Sequence, residues 1–294
     1  MPLPWWRLAP PGSAPAAAWP WPRRCGAEAT VPEQSLEGLA LSCRPLGEND
    51  RLLTLLSDEE GVVRLAVPGA RRPRSSLAAA VPLSHLRLQV GGRSGLRRVR
   101  QLKVLRSYSG LAQQLEALAA AQALMELCLA LVPSDAPSAG ILGDLLMQLG
   151  RLDALVRERS CDLEALAIAV QGSVHLLALG GYALPLGCCS RSGEPLDPPV
   201  GDWDWRCSLV PSEGLVIGGV PGARVVLNAS ELALLQRLLR PNLPRRRDGE
   251  LMGPLPVWLH LLELVEHWCQ EHLSRKPRAF RLLRTGLAAG TAPS

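Results

Sequence analysis

The chain has 294 residues, enough for two domains or one large one. Hydrophobic residues make up 47% of it and charged residues 20%, a composition that excludes wholesale disorder. The net charge of +5 comes from 32 basic and 27 acidic residues, so the placement of the charges matters more than their sum. No apolar run reaches the roughly 18 to 20 uninterrupted residues of a membrane helix, and we expect a soluble protein with no membrane partner.

The eight cysteines are scattered along the chain. Cys188 and Cys189 are adjacent, which is unfavourable for disulfide geometry. This pattern is typical of free thiols in a reducing compartment, so we expect a cytoplasmic protein.

Residues 1–34 form a leader rich in Pro and Ala that contains four of the eight Trp residues. Its prolines interrupt every apolar run, so it lacks the pattern of a secretory signal. We expect this leader to be disordered. A start codon assigned too far upstream and an organellar transit peptide are the alternatives.

Residues 35–107 consist of short runs of Leu and Val separated by turn signals. Leu86, Leu88 and Val90 alternate with polar residues, which is the period of a half-buried strand. The runs of this kind are Leu36–Leu46, Leu52–Leu56, Val62–Val67, Leu86–Val90 and a last one through Leu102 and Val104. About five short strands without a long helix predict a small antiparallel barrel.

The barrel segment also carries the charge asymmetry. From Gly61 to Arg106 it has eleven basic residues and no acidic one. On so small a domain this predicts a continuous basic face, the footprint of a polyanion-binding surface. The alternative is that the arginines only protect exposed strand edges. Because no aromatic residue precedes Tyr108 in this segment, binding should rely on phosphate contacts, with steep salt dependence and weak sequence preference.

After Tyr108 the spacing of the apolar residues becomes that of amphipathic helices. Five helices are predicted: from Ser109 to before Pro133, from Ile141 to Arg157, from Ser160 or Asp162 to Gly180, from Asn228 to before Pro241, and from Leu255 to Ser274. Asn228 and Glu231 have the spacing of a capping box. The apolar faces of these helices can only be buried against one another, so residues 108–284 are predicted as an all-α domain. Residues 285–294 are predicted as a disordered tail.

An irregular insert, residues 186–227, separates the third and fourth helices and is predicted to be a small subdomain or a functional site. It contains Cys188, Cys189 and Cys207 together with Trp203 and Trp205. A structural zinc site needs two pairs of ligands, and only half of one pair is present, so we expect thiols that fill a small Trp-lined core.

The remaining polar residues form no convincing catalytic group. His267, Cys269 and His272 do not share one side of the last helix, and the glycines of residues 214–222 lack the strand-to-helix dinucleotide motif. The sequence indicates a protein that is not an enzyme and uses no cofactor.

Two stretches resemble the RecO family of bacterial DNA repair proteins. The first is Glu37-Gly-Leu-Ala-Leu-Ser-Cys-Arg-Pro-Leu-Gly-Glu48-Asn-Asp-Arg51, followed by Glu60-Gly61 and by Gly69-Ala-Arg71-Arg72-Pro-Arg74. The second is similar to the closing helix and basic tail of the family, Leu264-Val-Glu-His-Trp-Cys-Gln-Glu-His-Leu-Ser-Arg275-Lys276-Pro-Arg278. The resemblance covers residues 36–283, with the barrel first and the helices after it.

This resemblance implies an α+β protein with an N-terminal OB-fold followed by a helical domain. It implies a recombination mediator of the RecF pathway that binds single- and double-stranded DNA and anneals complementary strands. With RecR, such a protein helps to place RecA on DNA coated by single-strand-binding protein (SSB), whose C-terminal tail it binds, and it works in the cytoplasm on the nucleoid. The residues that match the DNA-contacting positions are Arg71, Arg72 and Arg74 of a basic loop, with Arg51, Arg97, Arg98 and Lys103.

Many members of the family carry a four-cysteine zinc module in the insert. With Gly193-Glu-Pro-Leu196 as the register, Cys189 matches the first ligand and Ser192 replaces the second, while Ile217 and Val220 stand at the last two. We therefore expect no zinc. The insert would then depend on the packing of apolar residues, namely Trp203, Trp205 and Val216.

Three other functions remain open from the sequence. An OB-type module for structured RNA would bind folded RNA more tightly than single-stranded DNA. A helical scaffold protein with an incidental basic domain would show no nucleic-acid affinity at moderate salt. A cysteine-dependent enzyme would lose its activity on treatment with a thiol-blocking reagent.

Overall fold

The structure, a computed structural model, describes residues 34–92, 96–159 and 162–289. The predicted leader lies outside these residues except for Gln34, and so do Arg93 and residues 290–294 of the predicted tail. The six cysteines that are described are free thiols. Within the described helices, none combines the length and apolarity needed to cross a membrane.

Five strands form a closed barrel: β1 (Gln34–Leu46), β2 (Asp50–Ser57), β3 (Gly61–Val67), β4 (Ser84–Gly91) and β5 (Arg97–Ser107). They are hydrogen-bonded in the order β1-β2-β3-β5-β4. β1 closes the barrel because its first half pairs with β4 and its second half with β2. β3 and β5 are parallel, and the other pairs are antiparallel. This is the topology of an OB-fold, so the barrel predicted from the sequence is confirmed.

The alternation of side chains along the strands fills the barrel. Leu86 and Leu88 of β4 are fully buried, as are Leu53 and Leu65 on the facing strands. Gly38 allows β1 and β2 to cross closely, because a Cβ atom there would lie 2.2 Å from the carbonyl oxygen of Leu56. The barrel therefore has its own apolar core beneath its polar outer surface.

The rest of the domain begins with a 3₁₀ turn (Ser109–Gln113) and contains the helices α1 (Leu115–Leu131), α2 (Ile141–Glu158), α3 (Asp162–Leu179), α4 (Ala229–Arg237), α5 (Leu255–Leu273) and α6 (Ala279–Ala289). The capping box of α4 is confirmed. Asn228 Oδ1 accepts from Glu231 N, and Asn228 N donates to Glu231 Oε2, both at 2.9 Å. The predicted disordered tail is wrong in its first part, because α6 continues past residue 285 to Ala289.

The insert is not irregular. It contains a three-stranded antiparallel sheet of β6 (Arg206–Val210), β7 (Gly214–Ile217) and β8 (Val225–Asn228), in the order β7-β6-β8. The domain behind the barrel is thus helical with a small sheet rather than all-α. Cys207 and Val216 are buried and Trp205 is partly buried, but Trp203 is 84% exposed. The expectation that Trp203 belongs to the core of the insert is therefore wrong.

The barrel is fixed to the helices by packing and by hydrogen bonds. Val62 N donates to Pro133 O at 3.2 Å, and Leu142 N donates to Asp58 Oδ1 at 3.2 Å. Gly61 is required at this contact, since its φ is +66° and a Cβ atom would lie 2.3 Å from the carbonyl oxygen of Ala136. A barrel anchored in this way presents its outer surface in one orientation relative to the helices.

Candidate nucleic-acid interface

The basic loop between β3 and β4, residues 68–83, is attached to the turn between β1 and β2. Gly69 N donates to Asp50 Oδ1 at 2.8 Å, and Arg71 N donates to Asn49 O at 2.9 Å. Arg51 Nη1 donates to Ala78 O at 3.0 Å from the other side of the loop. These contacts hold the loop backbone, so its arginines project from a fixed platform.

Three arginines line one cavity where this loop joins the barrel. Arg51 and Arg71, both predicted from the sequence, line a cavity of about 270 Å³ together with Arg44, which was not predicted. The other residues of the lining are Cys43, Pro45, Val81 and Pro82, so none is acidic. Arg71 Nη1 donates to the carbonyl oxygen of Gly47 at 3.1 Å, which orients its charge without neutralising it. A cavity of this kind suits a phosphate group.

Arg72 and Arg74 lie beyond this cavity on the outside of the loop, and both are exposed. Arg74 has a φ of +59°, a left-handed conformation that is uncommon for a residue other than glycine. Neither side chain has an ion-pair partner among the described residues. They are therefore available to a polyanion in solvent.

Arg98 lies near the base of the same loop. It pairs with Ala66 across the β3–β5 ladder, and Arg51 pairs with Val67 across the β2–β3 ladder. The two arginines thus flank the end of β3 from which the loop departs, with Cα atoms roughly 10 Å apart. We call Arg44, Arg51, Arg71, Arg72, Arg74 and Arg98 the loop patch.

Lys103 lies elsewhere on the barrel wall, five residues or roughly 16 Å further along β5 than Arg98. It is exposed and pairs with Arg87 of β4. Arg87 is itself bound to Glu37, with Nη2 2.7 Å from Oε2. Lys103 therefore belongs to a more weakly charged region than the loop patch.

Arg97 does not belong to the exposed surface. It forms a bidentate ion pair with Glu60, with Nη1 3.0 Å from Oε1, and its side chain is only 19% exposed. The guanidinium group holds the pKa of the Glu60 carboxyl below its usual value. The sequence-based assignment of Arg97 to the DNA-contacting set is not supported by this geometry, because its charge is neutralised inside the protein.

The predicted continuous basic face needs the same correction. Arg106 is bound to Asp153 of α2 at 2.9 Å and lies over the Tyr108 ring, so it links the barrel to the helices. Arg87 and Arg97 are paired with acids that precede Gly61 in the sequence. Among the described residues, the basic side chains without an ion pair are concentrated in the loop patch at one end of β3, and Arg64 of β3 and Lys103 of β5 lie apart from it, so they do not form a charged wall around the barrel.

The insert brings three of the four residues of the zinc register together, Cys189, Ser192 and Ile217, but these do not form a zinc site. Cys189 Sγ accepts hydrogen bonds from Ser192 N at 3.5 Å and from Ile217 N at 3.4 Å. A hydrogen bond from the Ser192 side chain is the main cause that lowers the pKa of Cys189 to about 7. Ile217 and Val220 offer no donor atom, and in the described part of the chain no three His, Cys, Asp or Glu residues are placed to hold a metal. The residues present do not fit zinc.

A second feature, whose residues the sequence did not identify, is a groove of about 870 Å³ between α1, α5 and α6. Pro277, Ala279 and Leu282 give it apolar walls. Its basic residues are Lys276, Arg278, Arg281 and Arg284. Its acids already have partners, since Glu126 accepts from the backbone at the start of α6 and Glu266 binds Arg284. We call it the α6 groove.

Comparison with known proteins identifies the family. The model of Recombination protein O N terminal matches residues 33–108, and that of Recombination protein O C terminal matches residues 112–280. DNA repair protein RecO of Synechococcus sp. (strain WH7803) is 63% identical over 259 residues, covering 87% of this chain and 96% of the relative. Its namesake from Prochlorococcus marinus (strain MIT 9313) is 63% identical over 256 residues, 87% of this chain and 96% of the relative.

A more distant protein of the same name, from Acaryochloris marina (strain MBIC 11017), is 31% identical over 280 residues, 84% of this chain and 93% of the relative. All three relatives are named for DNA repair and not for a catalysed reaction. Both halves of the chain match, in the order that the sequence indicated. The chain belongs to the RecO family of DNA repair proteins.

Proposed function

We propose that this chain is a DNA-binding recombination mediator of the RecF pathway, active in the cytoplasm on the nucleoid. It binds single- and double-stranded DNA, anneals complementary strands and helps to load RecA on SSB-coated DNA. The observation that carries this proposal is the loop patch, six arginines on an OB barrel. None of the six forms an ion pair with another described residue, whereas neighbouring arginines do.

The composition of the patch indicates how DNA is held. Guanidinium groups bind phosphate oxygens in a bidentate manner and release the counterions that surround DNA. The described barrel strands and the basic loop contain no Phe, Tyr or Trp side chain on which a base could stack. The bases are therefore left free to pair.

Annealing follows from the same arrangement without a catalytic group. Two complementary strands repel each other through their phosphates, and partial neutralisation by the patch lowers that repulsion. Weak contacts to the bases leave their edges accessible to the second strand. The DNA-contacting residues proposed here are the loop patch with Lys103 as a peripheral contact, and Arg97 is left out.

The protein partners proposed are RecR and the C-terminal tail of SSB. The tail is acidic and amphipathic, and the α6 groove offers apolar walls and a basic rim, so the groove suits it.

The insert is proposed to fold without zinc. The β6–β8 sheet of the insert contributes buried apolar residues, among them Leu209, Leu215 and Leu227. Purified protein should contain much less than one zinc per chain, and its thermal stability should not change with a chelator. One tightly bound zinc per chain would contradict this proposal.

The DNA-binding role is tested with Arg71, Arg72 and Arg74 replaced together by Ala. The affinity for single-stranded oligonucleotides, measured by fluorescence anisotropy, should fall by a similar factor for every base sequence. The slope of log affinity against log salt should flatten by about 2, since each phosphate contact contributes about 0.7 on single strands. Annealing of SSB-coated strands should slow in parallel.

The matched control replaces three exposed arginines of the helical domain, Arg240, Arg246 and Arg247, by Ala. It removes the same charge far along the chain from the barrel and should leave the salt slope unchanged. Equal losses in the two variants would show that only net charge matters. Tighter binding of wild-type protein to folded RNA than to single-stranded DNA would favour an RNA-binding module instead.

A further inference from the structure

The cavity beside the basic loop differs from the rest of the loop patch. Arg44, Arg51 and Arg71 line it, whereas the other three arginines of the patch do not. Its volume of about 270 Å³ lies below the roughly 300–1,000 Å³ of pockets that enclose a whole small-molecule ligand. The cavity therefore has room for one phosphate group and the adjoining sugar, not for a length of strand.

The lining of the cavity is positively charged and contains no acidic side chain. The nearest acids along the chain are Glu48 in the β1–β2 turn and Asp50 at the start of β2, and neither lines the cavity. Asp50 Oδ1 already accepts a hydrogen bond from Gly69 N at 2.8 Å. Burial raises the pKa of the Cys43 thiol, so this lining residue is neutral near pH 7. The charge of the three arginines is thus left for a ligand.

The cavity is formed before any ligand binds. Arg51 Nη1 donates to Ala78 O at 3.0 Å, and Arg71 Nη1 donates to Gly47 O at 3.1 Å. A guanidinium group has five N–H donors, so each of these arginines keeps further donors for a ligand. The two prolines of the lining have restricted backbones. Binding of an anion here therefore costs little conformational entropy.

The phosphate that suits this cavity best is a terminal phosphomonoester. Near pH 7 a monoester carries a charge of about −1.5 to −2 and three acceptor oxygens, more than a diester within a strand carries. A diester also continues into a sugar on both sides, and both must leave through the opening, whereas a monoester continues on one side only. We propose that the cavity binds the terminal phosphate of a DNA strand, so that the protein prefers phosphorylated strand ends.

This inference rests on the proposed function, because the rest of the loop patch holds the strand whose end enters the cavity. Arg72 and Arg74, exposed on the outside of the loop, bind the diesters that follow the end. Contacts to backbone phosphates alone let a protein slide along DNA. A phosphate that only the strand end carries fixes the position of the strand on the barrel.

The experiment compares two single strands that contain the same number of phosphate groups. One has about eight nucleotides and a 5′-phosphate, and the other is one nucleotide longer and ends in a 5′-hydroxyl group. In fluorescence anisotropy with the dye on the opposite end, wild-type protein should bind the phosphorylated strand about fivefold more tightly, because hydrogen bonds to the more highly charged group are stronger. The corresponding pair with a 3′-phosphate shows which end fits. Equal affinities within both pairs overturn the proposal.

Arg44→Ala is the decisive variant, because Arg44 is exposed and has no ion pair with another described residue. It should abolish the preference for the phosphorylated strand. Arg72→Ala is the matched control, since it removes the same charge from the same patch but outside the cavity. It should weaken binding of both strands alike and keep the preference. With both variants folded by circular dichroism, a preference that survives Arg44→Ala overturns the proposal, as does one that both variants reduce equally.

Inorganic phosphate tests the chemistry of the cavity directly. Added to wild-type protein, it should reduce the preference for the phosphorylated strand more than sodium chloride does at equal ionic strength, because it competes for the same arginines. An effect no larger than that of chloride shows that the cavity does not select a phosphate with free oxygens, and it overturns the proposal.

The salt dependence separates this inference from the proposed function. If both strands bind equally while log affinity still falls steeply with log salt, the recognition of strand ends is contradicted and the loop patch stands as the DNA site. If neither strand binds at low salt, the proposed function itself fails.

Discussion

At the scale of single residues, the environment of an arginine decides its role. Arg97 and Arg98 are neighbours on β5, yet Arg97 is paired with Glu60 and Arg98 is exposed as part of the loop patch. Glu60 precedes Arg97 by 37 positions, and Asp153 follows Arg106 by 47. The sequence predicted which charges the barrel carries but not which of them meet across the fold, because ion pairs between distant residues depend on the register of strands and helices.

This contrast predicts opposite effects of two neighbouring substitutions. Arg97→Ala leaves the Glu60 carboxylate half-buried without its partner and should lower the free energy of unfolding by about 1 kcal/mol, with little change in DNA affinity. Arg98→Ala should weaken DNA binding with little change in stability. Urea denaturation measures the stability of both variants, and fluorescence anisotropy measures their affinity for DNA. Similar losses of DNA affinity in both would return Arg97 to the DNA-contacting set.

A partly buried histidine predicts a pH dependence of stability. His175 of α3 has Nε2 2.7 Å from the carbonyl oxygen of Leu238 and Nδ1 3.5 Å from Asp144 Oδ1. Both partners are acceptors, so the doubly protonated ring is favoured, and Asp144 raises the pKa of His175 above its usual value. The raised pKa contributes stability that is complete below the unfolded pKa of about 6.5 and is lost as the pH rises through the folded one.

Thermal unfolding of wild-type protein and His175→Gln between pH 5 and 9 tests this. The difference in stability between the two should be largest at acid pH and should shrink toward pH 9. His267→Gln is the control, since this ring lies at the protein surface, 3.7 Å from Glu263. A difference that grows with pH would contradict the assignment.

At the scale of secondary-structure elements, strongly periodic segments were predictable and short or basic ones were not. The five barrel strands and helices α1 to α5 follow from apolar spacing, which directly reflects burial on one face. Strands β6 to β8 are only four or five residues long, too short for a period to appear. α6 was missed because its apolar residues are separated by arginines, which are typical of an exposed tail.

Phe280 shows why α6 is nevertheless ordered. It is the only Phe of the chain and is fully buried, with Leu283 one turn further along. Phe280→Ala should lower the free energy of unfolding by about 3–4 kcal/mol, and should weaken binding of the SSB tail peptide because α6 forms one wall of the groove. Leu282→Ala, on the exposed side of the same helix, should cost less than about 1 kcal/mol. If urea denaturation shows the same loss of unfolding free energy in both variants, α6 is not packed as described.

At the scale of the whole molecule, the barrel has its own apolar core, and a second apolar cluster joins it to the helices. Leu39, Leu56 and Val62 of the barrel pack in the same cluster as residues of α1 and α2. Arg106 and Asp153 add a charged link between the two parts. The loop patch and the α6 groove are therefore held on one framework, so the proposed DNA site and the proposed protein site keep a fixed position relative to each other.

The candidate site was predictable from the sequence in its main part. Arg51, Arg71 and Arg72 were assigned from a basic loop and a family resemblance, and the structure places Arg51 and Arg71 on one cavity. Arg44 was not assigned, because its proximity to them arises only when the loop folds back on the β1–β2 turn. The absence of acidic residues in a segment of sequence did not predict a continuous basic face, since the neutralising acids come from other strands and from α2.

The measurement that tests the central claim most directly is the affinity of wild-type protein for a single-stranded oligonucleotide as a function of salt. If the loop patch holds phosphates through four or more arginines, log affinity should fall with log salt with a slope of about −3 or steeper, and this slope should be the same for different base sequences. An affinity that barely changes between low and moderate salt, or a slope that is unchanged after Arg71, Arg72 and Arg74 are replaced by Ala, would contradict it.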